Sequence, residues 1–478
     1  MTIATPRTRP NAAEVAAATP DHRDRYVDFL RAASLAVVVL GHWLMAAVEY
    51  RDGRLRAMNV LRAVPPARAL TWALQVMPLF FFVGGFANSA SWSAARRDGV
   101  SYGAWLGSRV RRLVRPAAAF AMVWAVVTAA LTAGGVGTRS VAALDTTVAL
   151  PLWFLAVYLV VVVLAPALLA AHRRLGWAVP VGLAAAVAAV DVAHWALHVP
   201  LVGWANFAFV WLLAHQLGFL WRDGRLPTRA ATRWALAGAG LTALLVLTGP
   251  GAYPVSLVGG VGEARTNTNP PSLALVAATL LQVGLALAGR GPLDRALARP
   301  RAWAAVVGAN RVAMTVYLWH LTALVAVSAL VLPRGWFPAP ETATAAWWAW
   351  RPAWLALLAV AIVPLVGLFG RVERGRGTRP GPAAMAPTGP HAPAGRGRAA
   401  AEKGLVVAAG ALASAAGMAV LALHGFSVPG APLGLPLAGL GLVAAGGVLA
   451  GPVAARLPAL GRPAPVRPQR SAPCLSTR

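Results

Sequence analysis

Apolar stretches of about 20 residues recur along this chain between short loops that carry arginine, and this constrains its folding more than any other feature. A bilayer core of roughly 30 Å needs about 20 apolar residues per helix, so each stretch is long enough to cross one. The 478 residues are 58% hydrophobic and 12% charged, with a mean hydropathy of +0.63, a balance a water-soluble globular fold rarely shows. The expected fold is all-α, a polytopic integral membrane helix bundle whose partner is the lipid bilayer.

The formal net charge of +28 raises the question of nucleic acid. Only Lys403 is a lysine among the 43 basic residues. Such arginine bias reflects GC-rich coding, and the basic residues are dispersed among loops rather than gathered on one element. No nucleic-acid partner is expected. The single cysteine, Cys474, excludes an intramolecular disulfide and argues against a cysteine-ligated metal site, so no metal is expected. The first apolar stretch has the length of a span and no small-residue cleavage site follows it, so it is read as a retained helix.

Ten spans are expected near 28–49, 69–90, 116–134, 149–171, 178–198, 202–221, 233–249, 272–289, 304–332 and 347–370. The domain organisation follows: an N-terminal tail at 1–24, a ten-helix core at 25–370, a flexible Pro/Gly/Arg-rich linker at 371–403, two C-terminal helices at 404–455 and a tail at 456–478. Loop charges orient the bundle. Arg7, Arg9, Arg23 and Arg25 precede the first span, Arg96 to Arg115 follow the second, Arg173 and Arg174 the fourth, Arg222 to Arg233 the sixth and Arg290 to Arg301 the eighth. The positive-inside rule then gives a multi-pass protein of the cell membrane with its N-terminus in the cytoplasm, and with Arg456, Arg462, Arg467 and Arg470 of the tail on the same side. The loop at 51–68 disagrees: it carries Arg51, Arg54, Arg56, Arg62 and Arg68 on the outer side, where an anionic partner is the expected reason.

Ionisable residues inside lipid are costly and mark sites. Arg25, Asp28 and Arg31 open the first span three residues apart, so Asp28 can pair with either arginine; interfacial anchoring alone would also place them there. His42 follows Arg31 by eleven residues, close to three turns, which puts both on one face about 16 Å apart. An inter-helix hydrogen bond is the bland alternative for His42, and more so for His320 in VYLWHLTAL. Asp191 and His194 can form a proton-handling pair or a structural one. His215, Gln216 and Gln282 read as packing polar groups, and Tyr317, Trp319 and Trp153 as core or interface aromatics. SRVRRLVRP places Arg109 and Arg112 on one helical face, and guanidinium forks suit phosphate oxygens.

RYVDFLRAASLAVVVLGHW resembles the first helix of the acyltransferase-3 family of membrane O-acyltransferases, whose mark is Arg, ten residues, then His, met by Arg31 and His42. Its Arg-x-x-Arg mark is met by Arg109 and Arg112. PLFFFVGGF is similar to the family's FFVLSGF element, with Gly84 in place of the serine. PLWFLAVYLVVVVLAP and VYLWH resemble two further elements. ARTNTNPPSLAL, FANSASW and HQLGFLWRDG point to an actinobacterial branch.

The resemblance covers about residues 21 to 370. It implies transfer of an acyl group, commonly acetyl, from acyl-CoA to a hydroxyl of a sugar, glycan or macrolide-like acceptor. On that reading His42 is the general base, Arg31 with Asp28 binds donor or developing charge, and Arg109, Arg112 and Arg25 grip the coenzyme phosphates. His320, Tyr317, Asp191 and His194 are further candidates. A transporter of an acylated or anionic compound is the alternative, though no repeated halves are visible; a scaffold using the arginine-rich linker on anionic lipid is a third.

Overall fold

The computed structural model describes residues 12–20, 23–136, 138–260, 262–374, 394–428, 430–431 and 434–451. Arg7, Arg9, most of the expected linker, the tail from 456 with its arginines, and Cys474 lie outside the described residues. The chain runs through α1 (Ala12–Ala17), α2 (Arg25–Met45), β1 (Ala46–Arg51), β2 (Arg54–Asn59), α3 (Val60–Ala63), α4 (Thr71–Leu74), α5 (Met77–Arg97), α6 (Tyr102–Ala133), α7 (Thr138–Ala149) and α8 (Pro151–Leu175). It continues through α9 (Ala178–Asp191), α10 (Asn206–Arg222), α11 (Ala230–Thr248), α12 (Leu273–Leu297), α13 (Pro300–Val331), α14 (Ala345–Arg374), α15 (Ala394–His424) and α16 (Leu437–Leu449).

The protein is a polytopic helical membrane protein. Among the described residues ten helices are long and apolar enough to cross a membrane, nine of them ending by Val372 and one at Ala400–His424. The expected core span at 202–221 is α10, shorter at 17 residues, and every residue from Val210 to Trp221 is buried. Protein rather than lipid surrounds it, which is why it tolerates His215 and Gln216. The second C-terminal helix, α16, has 13 residues.

Local chemistry adds detail to these expectations at four places. First, α2 stops at Met45 because the chain turns extended at Ala46, and β1 and β2 form an antiparallel hairpin with Arg51 opposite Arg54. Asp52 and Gly53 both take positive φ, the requirement of a two-residue hairpin turn that Asp-Gly meets. Second, three of the five arginines of this loop pair with carboxylates of the chain itself. Arg51 pairs with Glu49 at 3.0 Å, Arg56 with Asp52 at 3.5 Å and Arg68 with Glu263 at 2.9 Å. Third, α6 begins at Tyr102, where Ser101 Oγ accepts from the Ala104 N–H, and Pro116 lies inside it. The SRVRRLVR run, helical as expected, therefore lies within a 32-residue helix that starts well before 116.

Fourth, the segments flanking the core join it. In the expected N-terminal tail, Trp303 Nε1 donates to Thr19 Oγ1 at 3.0 Å, which ties the chain after α1 to α13. Residues Arg371–Arg374 finish α14 and Ala394–Lys403 begin α15, so both ends of the expected linker are helical. Val407, Ala411, Ala415, Met418 and Leu421 of α15 belong to the main hydrophobic cluster with α6 and α8. Phe426 follows α15 and its ring lies against Phe120 and Trp124.

Elsewhere small residues let helices approach closely. A Cβ on Gly85 would stand 2.0 Å from His215 O, and one on Gly218 would stand 2.1 Å from Phe82 O. This contact seats α10 against α5 and fixes where His215 lies.

Candidate active site

Helices α2 and α13 lie side by side and carry the sequence-marked residues along their shared seam. At one end Asp24 caps α2, its carboxylate accepting from the Tyr26 and Val27 N–H groups. Asp28 pairs with Arg31 at 3.2 Å and with Arg23 at 2.6 Å. Arg25 is not its partner: Arg25 donates to Leu297 O at 3.2 Å and lies 5.4 Å from the centre of the Trp303 ring. Arg31 Nε also donates to Asn310 Oδ1 at 2.9 Å, and Asn310 Nδ2 donates to Asp28 O at 3.0 Å. Asn310 thus locks α13 to the Arg31 turn of α2, a role no sequence spacing advertised.

Further along the seam, His42 Nδ1 and His320 Nε2 are 2.8 Å apart, with the rings nearly parallel at 6°. His320 Nδ1 lies 2.6 Å from Tyr317 O, and a carbonyl only accepts, so Nδ1 bears the proton. In the neutral pair, Nε2 of His320 then accepts from Nδ1–H of His42. The consequence is a lone pair on His42 Nε2, the remaining ring nitrogen. His320 is fully buried while His42 keeps partial exposure. Backbone bonds hold the assembly: Trp43 Nε1 donates to His320 O at 2.9 Å, and Tyr317 hydroxyl donates to Pro151 O at 2.9 Å. Tyr317 is thereby an anchor of α13 on α8.

The two arginine motifs meet at Tyr158 of α8, a residue sequence reading passed over. Its phenol is within electrostatic reach of Arg109, Arg31 and Arg112, and it approaches the Asn88 side chain. Asn88 Nδ2 in turn lies 3.2 Å from His215 Nε2. Arg109 donates to Ser91 Oγ and stacks 4.7 Å from the centre of the Trp105 ring, while Arg112 is exposed. Among the described residues no carboxylate pairs with Arg109 or Arg112. Gly84 faces the same phenol: a Cβ there would stand 3.1 Å from Tyr158 Cε2 and 3.4 Å from its hydroxyl. Where the resembling family has a serine hydroxyl, this chain brings a tyrosine hydroxyl to the neighbouring ground.

This seam and these arginines lie within a region that matches the acyltransferase domain of the acyltransferase-3 family over residues 24–369. The chain belongs to that family. It is a membrane acyltransferase and a transferase, with multi-pass transmembrane helices. Comparison with curated proteins and with solved structures found no match.

Other marked residues of the acyltransferase sit apart from the seam. Asp191 Oδ1 accepts from Asn206 Nδ2 at 2.8 Å; Oδ2 accepts from the Tyr253 hydroxyl at 3.0 Å and from the Leu273 N–H at 2.8 Å, capping α12. Burial, and then the Asp191 carboxylate, push the Tyr253 phenol above its ordinary value. Among the described residues no hydrogen bond or ion pair joins Asp191 to His194. The backbone widens into a π turn at Val192–Ala196, so the three-residue spacing no longer makes the expected pair. Gln216 donates to Leu168 O and Gln282 to Trp72 O and Gln75 O, which ties helices together. Trp153 packs on Phe154 and Trp211, and Trp319 stacks on Phe369 at 3.9 Å. Among the described residues no group of three or more His, Cys, Asp or Glu is placed to hold a metal ion.

Proposed function

We propose that this acyltransferase moves an acyl group, acetyl first among them, from an acyl-CoA thioester to a hydroxyl of a sugar, glycan or macrolide-like small molecule. The observation that carries the reading is the His42–His320 contact, in which a backbone carbonyl at the far end sets the tautomer of both rings.

His42 Nε2 takes the proton of the acceptor hydroxyl as the oxygen attacks the thioester carbonyl. A carbon–oxygen bond forms, the carbon–sulfur bond breaks, and the coenzyme A thiolate receives that proton back from the His42 imidazolium. His320 orients His42 and accepts its Nδ1–H, which steadies the ring as it becomes charged. Arg31, held by Asp28 and Asn310, stands on the His42 face of α2 and contributes positive charge on the side where the donor enters.

Arg109 and Arg112 fit the phosphates of the donor because no carboxylate among the described residues neutralises them, and guanidinium forks match phosphate oxygens. Arg25, engaged by Leu297 O and Trp303, acts in positioning α2 rather than in phosphate binding. The loop charges support a cell-membrane location with the N-terminus and the Arg31–Arg109 end on the cytoplasmic side, where acyl-CoA is available.

The test is transfer of labelled acetyl from acetyl-CoA by purified protein in detergent, with an extract of glycans and metabolites from the source cells as acceptor. Label in a product that is cleaved by mild base, as an ester is, is the expected outcome. Folded protein that releases no coenzyme A from acetyl-, propionyl- or longer acyl-CoA would move the weight to a transporter of anionic compounds.

A further inference from the structure

At the opposite end of the α2–α13 seam from Arg31, a narrow recess opens beside Val48 and Leu332, lined by Phe337, Pro338, Pro340, Trp347, Arg351 and Trp354. Arg351 is only 8% exposed, and its guanidinium carbon lies 3.8 Å from the centre of the Trp347 ring and 5.6 Å from that of Trp354. Among the described residues it makes no ion pair and no hydrogen bond. Its Nε and the neighbouring Trp354 Nε1 are both buried donors without an acceptor. The nearby acid Glu49 is already taken, accepting from Thr342 Oγ1 at 2.6 Å and pairing with Arg51.

A buried cation with no counter-charge costs stability, and so does each buried donor left without an acceptor. Both costs fall at one point, and both are relieved by one kind of ligand. A carboxylate presents two acceptor oxygens to a guanidinium fork, is small enough for a narrow recess, and gains strength from apolar walls that exclude water. We infer that Arg351, Trp354 and Trp347 form a subsite for a carboxylate, and that this carboxylate belongs to the acyl acceptor.

The place of the recess supports the second half. Trp354 shares one apolar cluster with Trp43, which bonds the backbone of His320. Val48 follows His42 by six residues, roughly 15 Å of chain at helical and extended rises. An acceptor anchored by its acid at the recess and long enough to span this distance approaches His42 from the end opposite the Arg109 cluster, so that donor and acceptor do not compete for one entrance.

Assignment to the acceptor rests on the acyltransferase reading; carboxylate binding itself does not. Thermal unfolding of the full protein in neutral detergent tests the binding without turnover, using sodium acetate and sodium glucuronate against sodium chloride at equal ionic strength. The wild type is expected to melt at rising temperature with either carboxylate. Arg351→Met, which keeps an apolar stem on Trp347, is expected to melt no lower than wild type without carboxylate and to show no response to it. A flat wild-type response, or equal responses in both proteins, overturns the subsite. A shift produced by phosphatidylglycerol in phosphatidylcholine nanodiscs but by neither carboxylate overturns it in favour of a lipid headgroup. For the acceptor, the extract is split by anion exchange: transfer to the acidic fraction, reduced about tenfold or more in Arg351→Met, is expected. Equal transfer to the neutral fraction overturns that assignment, and no transfer by wild type to either fraction overturns the acyltransferase reading beneath it while leaving the melting result intact.

Discussion

His320 has no exposed surface, so its effect must pass through His42. It does so by offering an acceptor nitrogen 2.8 Å from His42 Nδ1. His320→Leu removes that acceptor and frees His42 to carry its proton on the reacting nitrogen; a loss on the order of 10²-fold in kcat with little change in KM is expected. His320→Gln restores an amide oxygen that can accept, so partial recovery is expected, read from steady-state coenzyme A release. A merely structural histidine would give both variants the same loss and a lowered melting temperature. Each residue of this pair was legible as a mid-depth histidine in a recognisable motif. Their contact was not, because a bond across 278 positions depends on the register of two helices, which no local spacing records. The same holds for Asn310, an ordinary polar residue in sequence that becomes the link between Asp28 and Arg31 once α13 is in place. Arg25, expected among the phosphate ligands on the family resemblance, donates to a carbonyl of α12 and lies over an indole ring, contacts that no local spacing records either.

At the scale of helices, the bundle is set by close approaches at small residues as much as by apolar length. Gly218 of α10 meets the α5 backbone so tightly that an added Cβ would fall 2.1 Å from Phe82 O and 2.7 Å from Phe86 N. Backbone cannot move aside as a long side chain can. Gly218→Ala is expected to destabilise the fold by about 1–3 kcal/mol or more and to shift His215 away from Asn88, seen as a lower melting temperature together with reduced transfer. The existence of the long helices was readable from hydropathy, whereas boundaries failed where charge and structure part company, and the short helices α1 and α7 carry no such signal. The third span is expected to begin at 116 because the arginines before Pro116 are charged; α6 starts fourteen residues earlier, and these arginines lie in its early turns, near the end of a long helix, where such side chains reach polar surroundings. The hairpin at Ala46–Asn59 was missed although its Asp-Gly turn is a strong local signal, since the expected span was carried past Met45 on hydropathy alone.

For the molecule as a whole, the C-terminal pair reads in sequence as an appendage beyond a linker. The packing says otherwise. Val407, Ala411, Ala415, Met418 and Leu421 fill the main cluster from one side, and Phe426 closes over Phe120 and Trp124. Truncation before Ala394 uncovers these faces of α6 and α8. The expected result is protein that melts markedly lower or aggregates in detergent, monitored by size-exclusion chromatography; a monodisperse truncated protein with unchanged melting would show that lipid replaces α15 without loss. The polar content divides in the same way across the molecule: Asp191, Gln216 and Gln282 fasten loops and helices, while the seam of α2 and α13 keeps a partly exposed imidazole and α6 carries Arg109 and Arg112, which have no carboxylate partner among the described residues.

The most direct measurement is coenzyme A release from acetyl-CoA by purified protein in the presence of acceptor extract, comparing wild type with His42→Ala at matched folding. Release that falls by about 10²–10⁴-fold in the variant, with acetyl-CoA binding unchanged, is the result that general-base catalysis by His42 predicts. Retained turnover in folded His42→Ala would contradict it and take the α2–α13 histidine pair out of the reaction.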